Sequence, residues 1–188
     1  LIVMDKKPER RCLNLWTNFS PDRLHTLDEE TLLERVETFL KHIEYLIPEE
    51  TERNFFLDYL AYNIQYPGEK IHFCPLIKSV QGVGKSYFKV LFDKMLGTNS
   101  GAIDNDDLMQ PNNSWIEKKS VIFIEEIMSQ DRAEVTNRLL TLITEGQIRI
   151  KEKFTVSYDM TNRANFVIFT NLENPILIQS TERRFWRS

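Results

Sequence analysis

Apolar residues recur at helical spacing from Leu32 through Leu33, Val36, Phe39, Leu40, Ile43 and Leu46. That stripe predicts a helix opening at Thr26, with Glu29 three residues on as its capping partner and Pro48 as its stop. A second helix is predicted from about Glu49 to Gln65, dense in aromatics (Phe55, Phe56, Tyr59, Tyr62) and closed by Tyr66-Pro67-Gly68. A third runs from Tyr87 to Leu96 on Phe88, Leu91, Phe92 and Met95, with Gly97 after it. Three other stretches carry apolar residues without alternation: Leu76-Ile77, Val121-Ile122-Phe123-Ile124 and Phe166-Val167-Ile168-Phe169. Continuous runs of this length are typical of strands buried on both faces. Between the last two, Asp131 and Glu134 open a helix facing inward with Val135, Leu139, Leu142 and Ile143. Ile148 to Lys151 then alternates, and Thr155 to Tyr158 is expected to pair with it as a hairpin across Glu152-Lys153-Phe154. Residues 98–114, rich in Asn and Asp, read as a polar connection. Residues 1–25 read as an extended lead-in whose Trp16 and Phe19 pack on the domain after it.

Strands alternating with helices predict an α/β fold with a mostly parallel central sheet, whose ligand sits beyond the carboxyl ends of the strands. The two early helices form a small α-helical region before that core. The division expected is residues 1–66 as lead-in and helical collar or oligomerisation region, and 67–188 as the core. The chain does not begin with Met, and it is expected to be a piece of something longer, truncated at its C-terminus.

Composition changes this picture little. Of 188 residues, 41% are hydrophobic and 28% charged, an ordinary balance for a globular domain. No apolar run approaches a membrane span, so no membrane partner is expected. Cys12 and Cys74 are far apart and, like His25, His42 and His72, show no metal-ligand spacing, so all five read as structural and the setting as intracellular and reducing. A net charge of −4 excludes a general basic coat for nucleic acid but not a local basic loop.

The chemistry concentrates where strands end. Ser79-Val80-Gln81-Gly82-Val83-Gly84-Lys85-Ser86 lies between a predicted strand and a predicted helix. Glycines there let successive N–H groups turn inward as an anion nest, under the positive end of the helix after them. Gln81 to Tyr87 are therefore the candidate nucleotide-binding residues: Gln81, Gly82, Val83, Gly84, Lys85, Ser86 and Tyr87. Lys85 is expected to reach the β- and γ-phosphates of ATP, and Ser86 to ligate Mg²⁺. Ser79 stands where the strict pattern of a phosphate-binding loop (P-loop) has its first glycine. Glu125 and Glu126 come after the second buried run, Glu125 as a candidate Mg²⁺ ligand and Glu126 as the better candidate for general base. Asn171 comes after the third and would orient the attacking water. Arg183 and Arg184 lie beyond the last sheet strand, where an arginine can be offered to a neighbouring subunit.

Taken in order, Gln-Gly-Val-Gly-Lys-Ser, Val-Ile-Phe-Ile-Glu-Glu, Phe-Val-Ile-Phe-Thr-Asn and Glu-Arg-Arg-Phe resemble the superfamily-three helicases, above all the branch in phage and plasmid primase–helicases. Asn14-Leu15-Trp16-Thr17-Asn18-Phe19 is similar to the segment preceding the helicase module there. The resemblance implies an AAA+-like three-layer P-loop core assembled as a homo-oligomer, a six-membered ring. It implies ATP bound between subunits and movement on single-stranded DNA, with a primase or polymerase domain upstream. It also implies that Asn171 is the polar sensor, and that Arg183 or Arg184 acts as a finger in trans. A hairpin with a basic tip grips DNA in that family; Lys151 and Lys153 match it, and Arg149 matches more weakly. Two other readings stay open from the residues. One is a P-loop ATPase that loads or remodels without unwinding. The other is a nucleotide-gated DNA-binding module with negligible hydrolysis.

Overall fold

The computed structural model describes residues 2–3, 13–14, 28–78, 82, 84–125, 127, 132–177 and 183–187. In chain order, β1 (Ile2–Val3) and β2 (Leu13–Asn14) pair in parallel, and helices α1 (Glu29–Leu46) and α2 (Glu50–Gln65) come next. The core contains β3 (Cys74–Lys78), α3 (Ser86–Leu96), β4 (Ser100–Ile103), α4 (Asn105–Met109), β5 (Val121–Glu125) and α5 (Arg132–Thr144). An antiparallel hairpin, β6 (Gln147–Ile150) and β7 (Tyr158–Thr161), precedes β8 (Asn165–Thr170) and β9 (Phe185–Arg187). Trp16, Phe19, Cys12 and His25 lie outside the described residues.

The central sheet has five strands, all parallel, in the order β4-β5-β8-β3-β9. Its apolar runs are continuous because both faces are covered. Ile77, Val121, Phe123, Val167 and Phe169 join Ile43, Phe56, Phe88 and Phe92 of α1, α2 and α3 on one face. Leu76, Ile122, Ile124, Phe166 and Ile168 join Val135, Leu139 and Ile143 of α5 on the other. The α/β class, the parallel sheet and the helical region before it are as the sequence predicts. Phe88, Phe169 and Phe123 stack in series, with ring centroids 5.6 and 6.1 Å apart. Burying each such side chain contributes about 1.5–3 kcal/mol.

Four differences from the sequence expectation concern α1, residues 98–114 and the hairpin. α1 is capped by Asp28 rather than Thr26: the Asp28 carboxylate accepts from the Thr31 N–H at 2.8 Å and from its hydroxyl at 2.9 Å. Only Ile43 and Leu46 of the predicted α1 stripe are buried, while Leu32, Leu33, Val36 and Leu40 face solvent, because α1 meets the core through its C-terminal half. The "polar connection" holds β4 and α4. β4 lacks β-branched residues until Ile103, and tertiary bonds make it an edge strand: the Lys119 ammonium donates to the Thr98 and Ser100 carbonyls.

The fourth difference is the hairpin, whose second strand begins at Tyr158, so that Ile150 pairs with Tyr158 and residues 151–157 form its loop. Asn113 is the physical reason. Its N–H donates to the Lys151 carbonyl at 3.0 Å and its Oδ1 accepts from the Lys151 N–H at 2.8 Å. Both backbone groups of Lys151 are thereby taken, and cross-strand pairing cannot extend past Ile150.

Candidate functional site

In a parallel sheet every strand delivers its last residue to the same edge. Here β8 lies between β5 and β3, so the residues after it stand between Glu125 and the glycine-rich loop. A cleft of about 290 Å³ at that edge is lined by Gly82, Gly84, Lys85, Ser86, Glu125, Phe169, Thr170 and Asn171. Three segments far apart in sequence thus meet as expected. Gln81, Val83 and Glu126 lie outside the described residues.

The loop's conformation depends on its glycines. Gly82 and Gly84 have φ of +83° and +87°, a region that residues with a Cβ rarely enter. After them the chain turns directly into α3: the Gly84 carbonyl accepts from the Tyr87 N–H at 3.0 Å, and the Lys85 carbonyl from the Phe88 N–H at 3.1 Å. Ser86 begins the helix, so its hydroxyl stands at the end where unpaired N–H groups gather. Tyr87, expected at the nucleotide, is turned toward α1, its ring 5.3 Å from that of His42 and 6.4 Å from that of Phe39. One turn further on, the Asp93 carboxylate beside Lys89 holds its ammonium above the usual lysine value, with a smaller pull from Glu125.

Glu125 ends β5 opposite Phe169. Its Oε1 is buried and, among the described residues, has no hydrogen-bond partner. A buried carboxylate oxygen left unpaired is costly, so a cation or a water on a cation fits the space it faces. Ser86 and Glu125 offer two oxygen ligands of the kind Mg²⁺ takes beside waters and phosphate. No group of three or more His, Cys, Asp or Glu side chains able to hold a metal occurs among the described residues, so no protein-only metal cage accompanies the pair. Asn171 is exposed just beyond β8, where the Thr170 hydroxyl accepts from the Leu172 N–H at 3.1 Å and fixes the turn.

The structure does not bring Arg183 and Arg184 to this cleft, and they precede the last sheet strand instead of lying beyond it, because Phe185–Arg187 add to the sheet beside β3. β9 runs parallel to β3 with Phe185 beside Cys74, and the Arg184 carbonyl accepts from the Cys74 N–H at 2.8 Å. Both arginines therefore sit at the amino end of the sheet, the far edge from the loop. Arg187, which sequence reasoning passed over, reaches the carboxyl side instead and lines a smaller cleft with Lys78, Thr170 and Glu173. His42 was also passed over as structural: its Nε2–H donates to the Gly84 carbonyl at 3.3 Å. Spacing could not reveal that contact, because 42 residues separate the partners.

The hairpin leaves Lys151 and Lys153 exposed on its loop. Arg149 is different, since Asp159 opposite it approaches its guanidinium to 3.6 Å. Phe154 lies wholly in solvent at a φ of +65°, and Val156 is nearly as exposed. An exposed aromatic directly after Lys153 is a surface suited to stacked bases and phosphates together.

Residues 77–184 match a family described as "Family of unknown function (DUF5906)". The chain is 28% identical over 137 residues to the DNA primase-polymerase of Nitratiruptor phage NrS-1, covering 69% of this chain and 18% of that protein. Among solved structures it is similar to the apo C-terminal region of NrS-1, with a TM-score of 0.82 at 22% identity over 100% of this chain and 46% of that one. The A form of that region gives 0.70 at 25% identity over 82% of this chain and 36% of that one. The chain thus spans less than half of the solved region and under a fifth of the phage protein. No described helix is long and apolar enough to cross a membrane.

Proposed function

Because the chain belongs to the DUF5906 family, whose function is unknown, we propose its activity from the site: an ATP-driven motor domain of a phage replication protein. It is a P-loop ATPase of the superfamily-three type, hydrolysing ATP at the interfaces of a homo-oligomeric ring and moving on single-stranded DNA. One observation carries this reading. The unpaired, buried oxygen of Glu125 shares a single cleft with two positive-φ glycines, Lys85, Ser86 and Asn171.

In that cleft the loop N–H groups and the Lys85 ammonium bind the phosphates of ATP. Ser86 and Glu125 would hold Mg²⁺, which would supply neutralisation of the charge that develops on the phosphoryl oxygens. Asn171 orients a water against the γ-phosphate, and Glu126 takes its proton. Arg183 or Arg184 completes the site of a neighbouring copy; their distance from the cleft of their own chain supports action in trans. The exposed apolar residues of α1 offer that neighbour a contact, and Lys151 and Lys153 meet the DNA backbone. Similarity to a phage primase-polymerase supports the replication setting and an upstream primase or polymerase domain.

The test is steady-state ATP hydrolysis with and without single-stranded DNA, with Lys85→Ala as the blank. DNA-stimulated turnover absent from Lys85→Ala is expected. Turnover indifferent to DNA would favour a loader or remodeller. Failure of the wild-type protein to bind ATP with Mg²⁺ would refute the assignment.

A further inference from the structure

We infer that His42, on α1, is a positioning residue for the nucleotide site: by holding the Gly84 carbonyl it aims the Lys85 N–H into the cleft, making the helical layer part of the phosphate cradle. This inference rests on the proposed ATP site and adds a residue from an element that sequence and function had assigned to the collar.

Three observations converge on it. First, the His42 Nε2–H donates to the Gly84 carbonyl, which also accepts from the Tyr87 N–H. A peptide unit is planar and trans, so its C=O and the next N–H point in opposite directions. Two donors holding the Gly84 oxygen on the side of α1 and α3 therefore send the Lys85 N–H the other way. The cleft lies on that other side: Gly84 and Lys85 line it, whereas His42 does not.

Second, the ring occupies the space behind the loop. A Cβ built at Gly84 would stand 2.7 Å from His42 Cε1 and 3.2 Å from Nε2. A Cβ at Gly82 would meet nothing within 4 Å. The two glycines thus differ: one is required by backbone conformation alone, the other also by the imidazole at its back.

Third, aromatic contacts hold the ring against α3. It makes an edge contact with Tyr87 at 5.3 Å and a tilted one with Phe88 at 6.0 Å. Phe88 is fully buried against Phe56 and Phe169. The half-buried imidazole thus packs from α1 against the first turn of α3, and its donor nitrogen meets the Gly84 carbonyl there. A preorganised donor loses little freedom when ligand arrives, and that is where a backbone anion nest gains its affinity.

Two substitutions separate positioning from packing. His42→Phe keeps the ring contacts and removes the donor. His42→Gln removes the ring but carries an amide N–H at a similar reach. The readout is the dissociation constant of a fluorescent ATP analogue with Mg²⁺, measured on the whole chain, with urea unfolding of each variant alongside. Loss of one such hydrogen bond is expected to weaken binding roughly fivefold in His42→Phe, while His42→Gln stays within about twofold of wild type. If His42 only packs, the order reverses, and Phe binds as tightly as Gln or tighter; that outcome overturns the inference. Lys85→Ala keeps the two readings apart. Wild-type binding that Lys85→Ala abolishes, together with a tight-binding His42→Phe, sinks the role of His42 and leaves the ATP site standing. No binding by wild type sinks both.

Discussion

Replacing Gly84 by Ala perturbs the loop in two ways that the structure separates. The backbone at position 84 sits at a φ of +87°, where an L-residue with a Cβ costs about 1–2 kcal/mol. The new methyl would then stand 2.7 Å from His42 Cε1, and His42 is held by Tyr87 and Phe88, so the overlap adds roughly 1–3 kcal/mol. Gly82→Ala incurs only the first cost, since nothing lies within 4 Å of its Cβ. The expected gap between the two variants is therefore about 1–3 kcal/mol, or roughly 5- to 150-fold in affinity if the loop distorts to escape the clash. Titration with a fluorescent ATP analogue measures that part, and urea unfolding measures whatever the fold absorbs instead. Combining Gly84→Ala with His42→Ala removes the obstacle, so Gly84→Ala should cost less by most of the steric component in the His42→Ala background than in wild type, a non-additivity expected of neighbours. Equal losses for Gly82→Ala and Gly84→Ala, with the Gly84→Ala loss undiminished in the His42→Ala background, would refute the argument.

Glu125→Gln should leave thermal stability unchanged or raise it by about 1 kcal/mol, because a neutral amide replaces an unpaired buried carboxylate oxygen. The Mg²⁺ dependence of ATP affinity should disappear with it; a variant that still needs Mg²⁺ would clear Glu125 of metal binding. Burial pushes the Lys70 ammonium down to about 7, even though the Leu142 and Ala164 carbonyls accept from it and the Phe166 ring lies 5.0 Å away. A folded value below the unfolded one means the unfolded chain binds more protons between about pH 7 and pH 10, so stability rises with pH across that window. Lys70→Met lacks this slope, and a difference in stability between the two proteins that stays constant from pH 7 to 9 would contradict the assignment. Lys153→Ala should reduce the salt slope of single-stranded DNA binding by about one, whereas Phe154→Ala should lower affinity and leave the slope alone. Neither residue is buried, so unfolding should move by less than about 0.5 kcal/mol in either variant.

Sequence alone determined the buried strands β3, β5 and β8, the helices α3 and α5, and the order in which polar residues come after each strand. Those features are legible because a sheet covered on both faces needs unbroken apolar runs, and because a glycine-rich turn before a helix has few alternatives. The sequence also brought Lys85, Ser86, Glu125 and Asn171 to one sheet edge, since parallel strands can end nowhere else. Only the tertiary structure decided that β8 lies between β5 and β3, which sets Asn171 between the carboxylate and the loop. It also decided that a stretch as polar as 98–114 would yield an edge strand, through bonds from Lys119, and that Asn113 would end the hairpin at Ile150. The α1 stripe was legible as a helix but not as one half exposed, because periodicity reports a face and not what covers it. The same limit hid His42. Its role comes from one bond to a carbonyl 42 residues away, and backbone carbonyls carry no residue-specific mark in a sequence.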